Sequence, residues 1–80
     1  MQVIQTKYLG PTNTKGSRIK AYTEAHSVTV SYDYALNSED NHMAAAKVLK
    51  DKLRWNSKMI GGHTEKGIVF MFEKDSYSIE

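Results

Sequence analysis

The run "SVTVSYDY", residues 27–34, alternates without a break: Val28, Val30, Tyr32 and Tyr34 fall on one side, Thr29, Ser31 and Asp33 on the other. A period of two predicts a half-buried strand, with the valines and both tyrosines in the core. "RIKAYT", 18–23, repeats the pattern, with Ile19, Ala21 and Thr23 set against Arg18, Lys20 and Tyr22. The short "EAHS" between these runs predicts a hairpin. Residues 2–9, "QVIQTKYL", read as a first strand with weak alternation, and "KMIGG" as a short later one. In "IVFMFE", 68–73, Ile68, Phe70 and Phe72 alternate with Val69 and Met71, so both faces are expected to be buried.

The period changes between these segments. In "SEDNHMAAAKVLKDKLRW", His42, Ala45, Ala46, Leu49 and Leu53 recur at helical spacing and make one inward face, widened by Val48 and Trp55. Asn37 or Ser38 is suited to cap this helix, and Glu39 and Asp40 lie where the positive end of the dipole favours them. The opposite side carries Met43, Lys47, Lys50 and Arg54. The expected fold is a single α+β domain over residues 1–80. It has a three- to five-stranded antiparallel or mixed sheet with one α-helix packed on one face, in the order β-β-β-α-β(-β). Residues 74–80 are expected to be a loosely ordered tail.

Charge adds a pattern that the net value hides. The chain carries +2 overall, but residues 1–20 hold Lys7, Lys15, Arg18 and Lys20 with no acid. Residues 47–58 hold Lys47, Lys50, Lys52, Arg54 and Lys58 against Asp51 alone. Two basic segments on an acidic remainder suggest a basic face. There is no cysteine, hence no disulfide and no thiolate ligand, which suits a reducing, cytoplasmic setting. No apolar run approaches the roughly 18 residues of a membrane span, and the first ten residues lack the apolar stretch of a signal peptide.

"GPTNTKGSR", 10–18, holds the ingredients of a phosphate-binding loop in the wrong order, with Lys15 before Gly16. Such a loop needs its lysine to open a helix whose N-terminus faces the anion, whereas a strand is expected after Ser17. The segment reads instead as a contact loop presenting Lys15 and Arg18 to phosphate or carboxylate groups. His26, His42 and His63 are far apart and form no i, i+4 pair, so no metal site and no cofactor are expected. No nucleophile elbow is present, and a chain this small gives a cleft few walls, so an enzyme is not expected. Tyr22, on the Arg18–Lys20 face, is the aromatic best placed to stack a base.

The segments "KYLGPTNTKGSRIKA", "YDYALNSEDNHMAAAKVL" and "GGHTEKGIVFMF" together resemble a family of small bacterial proteins carried by phages and mobile elements. That family has no assigned activity, so the resemblance implies a genomic setting. In build, the chain is also similar to small type I anti-CRISPR proteins, through a "GS" before a strand, the "AAAK" helix, the tryptophan after it and the late "G…K…F" strand. This second likeness implies inhibition by attachment to a nucleic-acid surveillance complex without catalysis. Mimicry of DNA is disfavoured, because the chain has no dense acidic face.

The function expected from the sequence is therefore that of a non-enzymatic phage or mobile-element accessory protein. Its partner is a host protein complex, such as a defence system. The expected contact residues are Lys15, Arg18, Lys20 and Tyr22 in the first half and Lys47, Lys50 and Arg54 in the second. The alternative is a small nucleic-acid-binding protein using the basic loop and sheet aromatics. Either a monomer or a homodimer through an exposed edge strand is compatible with the sequence.

Overall fold

The computed structural model describes residues 2–75. Five strands form one antiparallel sheet: β1 (Val3–Leu9), β2 (Arg18–Tyr22), β3 (Ser27–Ser31), β4 (Met59–His63) and β5 (Ile68–Phe72). Their spatial order is β3-β2-β1-β5-β4. The first three strands are a meander. The helix α1 (Ser38–Lys52) then carries the chain across the sheet to the β4–β5 hairpin, which joins through β5 beside β1. The fold is the expected α+β arrangement, with both of the final strands present.

Register assigns every strand residue to a face. Thr6 pairs with Ala21, Tyr8 with Ile19, and Ile19 with Val30. Ile4 pairs with Phe70, and Phe70 with Gly61. These residues face α1, and the core forms from Ile4, Ile19 and Ala21 against Ala45, Ala46 and Leu49 of the helix, all buried. The alanines let the helix backbone come close to the sheet. The other face holds Val3, Lys7, Arg18, Lys20, Tyr22, Val69 and Met71, and among the described residues no second layer covers it. β5 is thus an interior strand in the sheet, but its outer face is only partly buried, where both faces were expected to be closed.

The helix starts as its sequence suggests: Asn37 Oδ1 accepts the amide of Asp40 at 2.8 Å. Its end differs. Arg54 adopts a left-handed conformation, φ 58°. The Arg54 amide donates to the Asp51 carbonyl and the Trp55 amide to the Lys50 carbonyl, both at 3.1 Å. These two bonds make a Schellman turn in which arginine occupies the position usually held by glycine. Arg54 therefore leaves the helical stripe on which its spacing placed it. Val48 is exposed rather than part of the inward face, whereas Trp55, past the helix, packs on the core and against Phe72.

The third strand is shorter than its alternation suggests. Asp33 Oδ1 accepts the Ala35 amide at 2.9 Å, and the Asp33 carbonyl accepts the Leu36 amide. This Asx turn diverts the chain, so Tyr32 packs on the core while Tyr34 is 79% exposed instead of buried. Asn41, buried on α1, exchanges hydrogen bonds with the backbone of Asp33 and fixes the turn to the helix. Lys74 and Asp75, at the start of the expected loose tail, belong to a 3₁₀ turn over Glu73–Asp75; the rest of that segment lies outside the described residues.

Candidate functional site

The helix layer is narrower than the sheet. Five strands span about 19 Å between outer axes, whereas a helix with its side chains is about 10–12 Å across. α1 lies over β2 with β1 and β3 beside it, and reaches β5 only at its margin. Among the described residues, the helix side of the β5–β4 hairpin is therefore left open as a groove of about 470 Å³. Its floor is Met59, Phe70 and the flank of α1 at Met43 and Ala46. Lys47 and Lys50 from the helix and Lys58 from the chain before β4 surround it, and Asp40 stands at the end nearest the helix N-terminus.

Gly61 shapes the floor. A Cβ at this position would lie 2.7 Å from the Phe70 ring, so only glycine lets the ring extend across β4. Met43 is 54% exposed, and Lys47 is exposed as well. Lys58 also meets Glu73 at 3.5 Å in an exposed pair, which adds little to stability. The stripe Met43, Lys47, Lys50 thus lies on the helix flank that borders the groove, not opposite the core. Of the residues expected there, Lys47 and Lys50 are brought together and Arg54 is not. Lys58, Met59 and Phe70 join them from other elements.

The first basic segment collects elsewhere. Alternation along β2 puts Arg18, Lys20 and Tyr22 on the uncovered face, where Lys7 of β1 pairs directly with Lys20. The two basic segments therefore lie on opposite sides of the sheet and do not form one face. Lys15 sits in the loop before β2, where Thr12 Oγ1 accepts its amide at 3.1 Å and Arg18 Nε donates to the Gly16 carbonyl at 3.2 Å. Ser17 is buried beneath this loop and pairs with the hydroxyls of Tyr8 (2.7 Å) and Tyr34 (3.0 Å). Arg18 opens β2, so the loop has no helix N-terminus of its own and lacks the geometry of a nucleotide phosphate loop.

His42 is committed to structure. Its Nδ1 lies 2.7 Å from Thr6 Oγ1, which also donates to the Ile68 carbonyl at 3.0 Å and accepts the Ile68 amide at 3.1 Å. A hydroxyl has one proton; with that proton on the Ile68 carbonyl, His42 Nδ1 is the donor to Thr6. Burial, and then the charge of His63, hold the His42 pKa below its ordinary value. His63 is exposed and meets Glu39 at 3.5 Å. Among the described residues no three acidic or histidine side chains cluster as a metal site would require.

The pairing of Lys7 with Lys20 and the groove floor at Met59 and Phe70 were the parts that residue patterns missed. Lys7 stands alone in a weakly alternating strand, and only the β1–β2 register shows its neighbour. Compared with known proteins, the chain matches no family model, no curated protein and no solved structure.

Proposed function

We propose that this protein is a non-enzymatic binding module that docks an amphipathic, acid-flanked helix of a partner protein in the groove between α1 and the β4–β5 hairpin. The observation that carries this reading is the half-empty helix layer: an apolar floor at Phe70, Met59 and Met43, edged by Lys47, Lys50 and Lys58. Two helices pack on a sheet side by side at about 8–10 Å, which is the width left beside α1. Between Asp40 and Lys50 the groove has room for about three helical turns. Apolar side chains of such a helix would cover the floor, while carboxylates on its flanks would meet the lysines and speed encounter. In the phage or mobile-element setting that the resemblance implies, the partner is a host protein complex, with a defence system as the natural candidate.

The methionines make the test direct, because Met43 and Met59 border the groove and Met71 lies on the far side of the sheet. Methyl-labelled protein is titrated with a three-turn peptide bearing a leucine stripe flanked by glutamates, and with its lysine-flanked counterpart. The acidic peptide is expected to shift the Met43 and Met59 signals and leave Met71 in place. Lys47→Glu with Lys50→Glu should weaken it about tenfold or more, reversing the preference between the peptides. Undisturbed Met43 and Met59 signals at millimolar acidic peptide would overturn the assignment.

A further inference from the structure

The uncovered face of the sheet has a different chemistry from the groove. Lys7 and Lys20 are direct cross-strand partners, and a like-charged pair in that position destabilises a sheet. Both ammonium groups reach the same ring: Lys7 Nζ is 5.7 Å and Lys20 Nζ 5.8 Å from the centroid of Tyr22. Arg18 lies on the same face, two residues before Lys20. Among the described residues, none of these three cations has a salt-bridge partner. Every strand position on this face is apolar, amide, hydroxyl or cationic; none is acidic.

Repulsion between the lysines is relieved when each is paired with an anion. The flanked aromatic narrows the choice of anion. A protein carboxylate would draw the lysines off the Tyr22 ring they stand over and put nothing in their place, while a nucleotide offers phosphates for the lysines and a flat base for the ring. We propose that this face binds single-stranded nucleic acid, with Lys7, Lys20 and Arg18 on successive phosphates and a base stacked on Tyr22. Phosphates fix position and carry the affinity, and stacking on an aromatic side chain accepts any base. Double-stranded nucleic acid keeps its bases stacked inside and cannot use Tyr22. The site is independent of the groove, which lies across the sheet.

The experiment is a fluorescence-anisotropy titration with twelve-residue oligothymidylate and oligouridylate, the corresponding DNA duplex, and polyglutamate. With about three phosphate contacts, log affinity for a single strand should fall against log salt with a slope of about −2, or roughly a hundredfold for tenfold more salt. Lys7→Gln with Lys20→Gln should bring that slope to about −0.7 and leave the fold intact, since the repulsion it removes offsets the two ring contacts it loses. Tyr22→Leu should lower single-strand affinity about tenfold with the slope unchanged, and bound oligonucleotide should shift Met71 without moving Met43. Preference between the two oligonucleotides, with oligodeoxyuridylate added to separate the sugar from the thymine methyl, would identify DNA or RNA as the ligand, and equal affinity would show a backbone common to both. Absence of binding at low salt, equal binding of the duplex or of polyglutamate, or indifference to Tyr22→Leu would each overturn the proposal.

Discussion

Thr6 gives a quantitative test of how β1, β5 and α1 are joined. Its side chain is 1% exposed, and its hydroxyl holds the Ile68 amide, the Ile68 carbonyl and His42 Nδ1 at once. Thr6→Val keeps the shape and removes all three bonds. Each buried polar group left without a partner costs about 1–3 kcal/mol, and relaxation will let one of the three find another. The added methyl returns about 0.8 kcal/mol. The expected loss is therefore about 1–5 kcal/mol, a large part of the roughly 4–12 kcal/mol available to a domain of this length. At about 6 °C per kcal/mol for a chain of this size, thermal melting followed by circular dichroism should drop by about 6–30 °C. Thr6→Ser retains the hydroxyl and loses only a methyl, so its loss should be nearer 1 kcal/mol. A serine variant less stable than the valine variant would refute the assignment of this joint to the hydroxyl.

Two further expectations follow from local geometry. Because burial, and then His63, lower the His42 pKa, the unfolded chain takes up a proton there before the folded one does; this part of the stability is complete above pH about 6.5 and is lost as pH falls from there through the depressed folded value. Urea midpoints at several pH values should show this fall, and a His42→Gln profile as steep as the wild type between pH about 6.5 and 5 would refute it. Arg54→Gly removes a side chain from a left-handed position, so the melting temperature should rise by up to about 6 °C, equivalent to about 1 kcal/mol; a fall would mean that the arginine side chain stabilises the turn by more than its backbone strain costs.

Much of the fold was legible because periodicity is a local signal. The alternation in β2, the helical face through Ala45 and Leu49, and the Asn37 cap all depend on neighbours within a few residues. Tyr34 shows where alternation misleads: Val28, Val30 and Tyr32 extend toward it in step, but Asp33 is also a turn former, and its side chain captures the Ala35 amide. Arg54 shows the same limit at a helix end. Its spacing continues the stripe, and without a glycine nothing local marks the left-handed turn. The pairing of Lys7 with Lys20 is set by register across an eight-residue loop, which is a property of the closed sheet. The groove rests on simpler arithmetic: one helix against five strands leaves part of a layer vacant, although only the topology shows which part.

The two proposed surfaces share strands but not side chains. In β1, Ile4 and Thr6 face the helix while Val3 and Lys7 face the other way, and β5 divides in the same manner between Phe70 and Met71. A ligand on either side leaves the backbone hydrogen bonds of the sheet untouched, so neither need displace the other. The sheet is tied to the helix by Thr6 and His42 at one point and by the Ile4–Leu49 core at another. Substitutions at Lys47 and Lys50 should then act on peptide binding alone, and those at Lys7 and Lys20 on nucleic acid alone, because the two sets have no common partner. Coupling between them would require the β1–β5 ladder to change register, and alternation makes that costly: a one-residue slip would send Ile4 to solvent and Lys7 into the core. If both proposals hold, a protein helix and a nucleic-acid strand would be bound at once, on opposite sides of a single sheet.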